Sequence, residues 1–167
     1  MAFKVPKIPV CVAIAYCGVA LVFQLVTVAG AGWLVIPGGC DGNKTRSVGL
    51  FPRYQNDLRF LVEYSEYSEW WTVCQVFSLL GLLAIVESLC IGILHCFLEN
   101  TSVLSPHALA ACAAAETFLI IELVVFDSMM RDINQNVFTT GSGFICSVIA
   151  SVLIFDAAVQ FIVGLRQ

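Results

Sequence analysis

Charge is scarce in this chain: Asp, Glu, Lys and Arg make up 12% of 167 residues, and Lys plus Arg number only 8. Soluble domains carry about twice that charged fraction, and a nucleic-acid surface needs clustered bases to displace counterions. Neither class fits, and no nucleic-acid partner is expected. Histidine is scarcer still. His95 and His107 stand alone, without the i, i+4 pairing or acidic neighbour that metal sites use, and the eight cysteines contain no Cys-x-x-Cys. No metal, cofactor or thiol-redox centre is expected. No Ser, His and Asp constellation stands out either, so the chain is read as non-enzymatic. Sizeable polar stretches are also missing, with one exception at residues 37–71.

Apolar sequence fills the rest. Hydrophobic residues reach 59% and mean hydropathy is +0.91, more apolar surface than a soluble core of this size can hide. Residues 10–36, 71–98, 108–126 and 144–163 form runs close to or above the roughly 20 residues that cross a bilayer as a helix. The fold class expected is an all-α membrane protein: one domain, residues 1–167, built as a four-transmembrane-helix bundle. The helices are placed at about 8–31, 71–98, 107–127 and 141–164, with an extracellular loop at about 32–70. Pro6, Pro9 and Pro37 bound the first run, and Gly30 and Gly32 are where its helix should stop. A cleaved signal peptide is the rival reading, because Lys4 and Lys7 precede the run and Ala29-Gly30-Ala31 resembles a cleavage site. The apolar stretch is longer than the roughly 7 to 15 residues of such a segment, which favours a retained span.

Four spans place both termini on one side. Lys4, Lys7 and Arg166 favour the cytoplasm for that side, whereas Lys44, Arg46, Arg53, Arg59 and Arg131 lie in the opposing loops and vote against it. Two glycosylation sequons also disagree, since Asn43-Lys44-Thr45 and Asn100-Thr101-Ser102 fall on opposite faces. Asn43 follows Asp41-Gly42 in a turn far from the bilayer, and Asn100 sits close to a membrane end. The orientation adopted has Asn43 outside as the candidate glycosylation site and both termini in the cytoplasm, most naturally at the plasma membrane.

The long loop reads as a small antiparallel sheet. Residues 33–36, 45–51 and 58–67 are rich in aromatic and β-branched side chains and are separated by Gly, Pro, Asn and Asp signals. Tyr64, Tyr67, Trp70 and Trp71 are expected to anchor the outer interface with their rings at headgroup level. Trp33 directly after the first span, and Gly49-Leu50-Phe51 later in the same loop, complete a recognisable layout.

That layout resembles the claudin superfamily, which includes claudins, the peripheral myelin and epithelial membrane proteins, and calcium-channel gamma and related receptor auxiliary subunits. The family signature is Trp, then Gly-Leu-Trp, then two cysteines. Phe51 stands in place of the second tryptophan, and Tyr54 and Tyr64 stand where the spacing would put the cysteine pair. The resemblance implies a claudin-like tetraspan without the usual loop disulfide. It also implies action through other membrane proteins, as an auxiliary subunit or as a junction and adhesion component. Only Leu165-Arg166-Gln167 follow the last expected helix, so a scaffold-binding tail is not expected, and a lateral partner is favoured.

Cys40 in the loop and Cys74 at the outer start of the second helix form a candidate disulfide that would restrict the unfolded loop by about 2 to 4 kcal/mol. Cys146 is a competing partner, and a free buried thiol is the remaining alternative. The other helical cysteines, Cys11, Cys17, Cys90, Cys96 and Cys112, are not expected to bridge.

Four acids interrupt the spans with no basic residue to pair them: Glu87 in the second, Glu116 and Glu122 in the third, Asp156 in the fourth. Unpaired charge is costly in hydrocarbon, so neutral, hydrogen-bonding carboxyls are expected unless water or a partner reaches them. Packing between helices, recognition of a partner, and a proton or ion relay using Glu87 with Glu116 are the three roles open to them. The third helix has an inner half of Ala108, Ala110, Ala111, Cys112, Ala113, Ala114 and Ala115. The fourth carries Gly141, Gly143, Ser147, Ala150 and Ser151. Both compositions predict close backbone approach. The partners expected are the lipid bilayer and another membrane protein or a second copy. A small transporter or proton- or ion-conducting protein using the embedded carboxylates is the alternative function.

Overall fold

A computed structural model describes residues 8–30, 32–36, 46–51, 68–97, 104–132 and 139–166. Its helices are α1 (Ile8–Ala29), α2 (Ser68–Phe97), α3 (Leu104–Asp132) and α4 (Ser142–Arg166). All four are long and apolar enough to span a bilayer, so this is an integral, multi-pass membrane protein with an all-α four-helix bundle. The chain runs up and down, α2 packing along α3 and α1 along α4. Pro106 sits in the first turn of α3, where its missing N–H removes no helical hydrogen bond, and the helix starts before it rather than after.

The buried faces follow one rule. In α1 they are Val10, Ala13, Cys17, Ala20, Gln24 and Thr27, and in α4 Gly143, Ser147, Ala150, Ile154, Ala157, Phe161 and Gly164, with Ser151 buried beside them. This alternation of three and four residues keeps a straight seam against neighbouring helices. Most of these side chains are small or polar. Many large aliphatic ones point outward instead, Val22 being 60% and Leu83 64% exposed. Lipid rewards that outer surface, and without a hydrophobic drive between helices the interior is held by close packing and hydrogen bonds. The alanine face of α3 is used as expected for Ala108, Ala111, Cys112 and Ala115, which are buried, while Ala110 and Ala113 are exposed.

At one end of the bundle sits a three-stranded antiparallel sheet: β1 (Leu34–Ile36), β2 (Arg46–Val48) and β3 (Thr139–Thr140), in the order β2-β1-β3. Leu34 pairs with Val48 on one side and with Thr140 on the other. The first two strands come from the segments anticipated. The third strand expected at residues 58–67 lies outside the described residues, and the observed third strand comes from the connection between α3 and α4. Two threonines are too short a pattern to announce a strand, and their pairing is supplied by β1.

The sheet is stitched directly to the helix ends. Trp33 N–H donates to the Val48 carbonyl (2.9 Å), Gly141 N–H to the Trp33 carbonyl (2.9 Å), and Gly143 N–H to the Gly32 carbonyl (2.7 Å). This approach requires glycine at residue 141, where a Cβ would land on the Gly32 carbonyl, and at residue 143, where it would lie 2.7 Å from Trp33 Cδ1.

Candidate functional site

The loop motif converges on the junction between sheet and bundle. Trp33 has no exposed surface, and its indole N–H donates to the Thr27 carbonyl at 3.0 Å, satisfying one of the carbonyls orphaned at the end of α1. Its ring meets Phe126 edge-on at 4.9 Å and Phe144 at 6.1 Å. Leu50 is buried in the same cluster, and its carbonyl accepts from Trp71 Nε1 (2.9 Å) and Gln75 Nε2 (2.8 Å) of α2. Gly49 is buried, and Phe51 packs against the cluster edge.

The expected headgroup anchoring by Trp70 and Trp71 is corrected by this packing. They are only 8% and 4% exposed, set edge-on against each other at 5.3 Å and packed against Phe126. The sheet covers them, so their rings serve the core of the junction. Tyr54, Tyr64 and Tyr67 lie outside the described residues, as do Cys40, Asn43 and Asn100.

Beneath the junction, the bundle interior is polar at three places. Nearest the sheet, Gln24 of α1 donates from Nε2 to the Ser78 hydroxyl (3.0 Å) and the Ser78 carbonyl (3.3 Å) of α2. Glu122 of α3 accepts from the Ser147 hydroxyl of α4 at 3.5 Å and faces Ser78 and Gln24. All four side chains are fully buried. Further in, the Ser151 hydroxyl donates to Glu116 Oε1 at 2.9 Å, joining α4 to α3. Deeper again, Ser88 of α2 lies 2.9 Å from the Cys112 sulfur and 3.6 Å from the Cys17 sulfur, linking three helices.

The embedded acids therefore divide. Glu116 and Glu122 hydrogen-bond inside the bundle, and Asp156 is half-buried on α4. Glu87 is exposed on the outer face of α2, beside exposed Leu83, Val86 and Cys90. It has no polar partner among the described residues. The relay pair of Glu87 with Glu116 is not assembled: the two helices are neighbours, yet Glu116 faces α4 and Glu87 faces away from the bundle. Cys40, one end of the candidate bridge, lies outside the described residues. Cys74 is a free, buried thiol whose Sγ donates to the Glu122 carbonyl at 3.8 Å, and Cys146 is also free. Among the described residues, no group of three or more His, Cys, Asp or Glu side chains is arranged to hold a metal ion.

No family model matches this chain, and no curated protein matches it in sequence. The site residues not singled out beforehand are Gln24, Thr27, Ser78 and Ser88. For α1 a usable signal existed, because Cys17, Ala20, Gln24 and Thr27 fall on one seam of three- and four-residue steps. Gln24 and Thr27 interrupt the apolar run at positions on that seam.

Proposed function

We propose that this protein is a claudin-like, non-enzymatic tetraspan of the plasma membrane that binds another membrane protein laterally. Its class of role is that of an auxiliary subunit of a channel or receptor, or of a component of a cell junction or adhesion contact. Both termini face the cytoplasm, and the sheet faces outward. The claudin-like reading draws on the convergence of Trp33 and Leu50 in one core at the sheet end.

The observation that carries partner binding is Glu87. An acid displayed at mid-depth on the lipid side of a helix, without a partner in its own chain, costs about 2.5 to 3.5 kcal/mol at the bilayer centre. A neighbouring transmembrane helix offering a basic or hydrogen-bond-donating side chain removes that cost. The flanking Leu83, Val86 and Leu94 supply apolar contact around it.

Isolation from native membranes in mild detergent, followed by identification of what remains bound, is the direct test. Glu87→Leu is expected to abolish co-purification of the partner while leaving the melting temperature of the isolated chain unchanged or slightly raised. A protein that runs alone in both forms, or a Glu87→Leu chain that retains its partner, overturns the reading.

A further inference from the structure

The cluster of Gln24, Ser78, Glu122 and Ser147 draws one side chain from each helix and is sealed from solvent. Its hydrogen-bond arithmetic does not close. The Ser78 carbonyl can only accept, so the nitrogen of the Gln24 amide must face it and the amide oxygen must face the other way. The Ser147 hydroxyl donates to Glu122 Oε2 at 3.5 Å, long for a hydroxyl on a carboxylate, so the cluster is not drawn tight around its acid. With the Glu122 carboxyl ionised, Gln24 Oε1 and Glu122 Oε1 are left as fully buried acceptors with no donor among the described residues.

Two bare oxygens, one of them on a carboxyl group, lack a positive centre. Sequence supplies none, since no Lys or Arg falls within any helix except Arg131 and Arg166 near helix ends. The available ligands are all hard: a carboxylate, an amide oxygen and serine hydroxyls, the oxygen set that alkali and alkaline-earth cations prefer. Charge balance selects among them. Glu122 is the only carboxylate of the cluster, so a monovalent cation leaves the buried site neutral and a divalent one leaves it charged in hydrocarbon.

We propose that this four-helix cluster binds Na+ in exchange for the carboxyl proton of Glu122. The O–H bond of the carboxyl breaks, the proton passes to solvent, and Na+ takes its place against Oε1 of Glu122 and Oε1 of Gln24. Total charge is conserved and no electron is transferred. Of the groups facing Glu122, α1 contributes the neutral Gln24 and α4 the neutral Ser147. α2 contributes Ser78 and the titratable Cys74 thiol, which donates to the Glu122 backbone carbonyl. On α3 itself, the nearest acid is Glu116, engaged with Ser151.

The full chain in mild detergent is melted in NaCl and in N-methylglucamine chloride at equal ionic strength, at about pH 8, where proton release favours metal-ion binding. The expected result is a melting temperature a few degrees higher in NaCl, rising with concentration as a binding isotherm. In weak buffer, adding NaCl is expected to release up to about one proton per chain. Glu122→Gln abolishes both responses. Gln24→Leu and Ser147→Ala weaken them in chains that keep the carboxyl, and Glu116→Gln leaves both intact. An equal shift in either salt or no shift in wild type overturns the proposal, because the acceptors are then met by water or by the carboxyl proton alone. A response that survives in Glu122→Gln, or is lost in Glu116→Gln, overturns it as well.

Discussion

Trp33 concentrates several jobs in one residue: its backbone donates to β2 and accepts from the segment before α4, its indole N–H caps α1, and its ring packs edge-on against both Phe126 and Phe144. Trp33→Ala removes the ring contacts and leaves a cavity, so a loss of about 3 to 5 kcal/mol is expected. Trp33→Phe keeps most of the packing and strands the Thr27 carbonyl, a loss of about 1 to 3 kcal/mol. Thermal unfolding in detergent should rank the two in that order, and equal melting temperatures for Trp33→Phe and wild type would deny the cap a role. At this scale the sequence was legible where a residue belonged to a loop pattern, as Trp33 and Leu50 did. It was opaque for Trp70 and Trp71, because a tryptophan at a helix start suits a headgroup interface or a covered core equally well. Only the sheet lying over them decides which. Ser78 and Ser88 were hidden for a different reason: serine breaks an apolar run without indicating which face of the helix it occupies.

Helices in this bundle hide their inner faces in an unusual way for anyone reading hydrophobic periodicity, since the outside is as apolar as the inside. Length and apolarity revealed four spans, yet the buried stripes of α1 and α2 could not be read from those properties alone. Small residues were the better guide, and on α3 and α4 they pointed to close packing that the structure contains. Two glycine substitutions separate the effects. In α4's approach segment, Gly141→Ala places a methyl group against the Gly32 carbonyl, and the stitch between sheet and bundle must open. In α1, Gly18 has open space where a Cβ would go, so Gly18→Ala gains helix propensity, about 0.5 to 1 kcal/mol. Melting temperature is expected to fall for the first variant and rise for the second. A rise for both would mean that the Gly141 contact relaxes at no cost.

For the whole molecule, the polar interior and the lipid-facing exterior make an object whose stability depends on its medium, and whose orientation sets what the sheet meets. Sheet outward and termini inward remains a proposal, and glycosylation checks it. Enzymatic removal of N-linked sugar is expected to shift the mobility of the chain from native membranes, and Asn43→Gln is expected to eliminate that shift. Sugar carried at Asn100 instead would invert the molecule. Charge at the helix ends left this question open because the basic residues of the loops oppose those of the termini. The pairing of Leu34 with Thr140 bears on how the protein is made. During synthesis β1 emerges early, but its second neighbour is translated only after the segments of three helices. Until then one edge of β1 presents unpaired N–H and C=O groups. Completion of the sheet thus coincides with delivery of α4, and a chain halted before β3 keeps that edge of β1 unpaired.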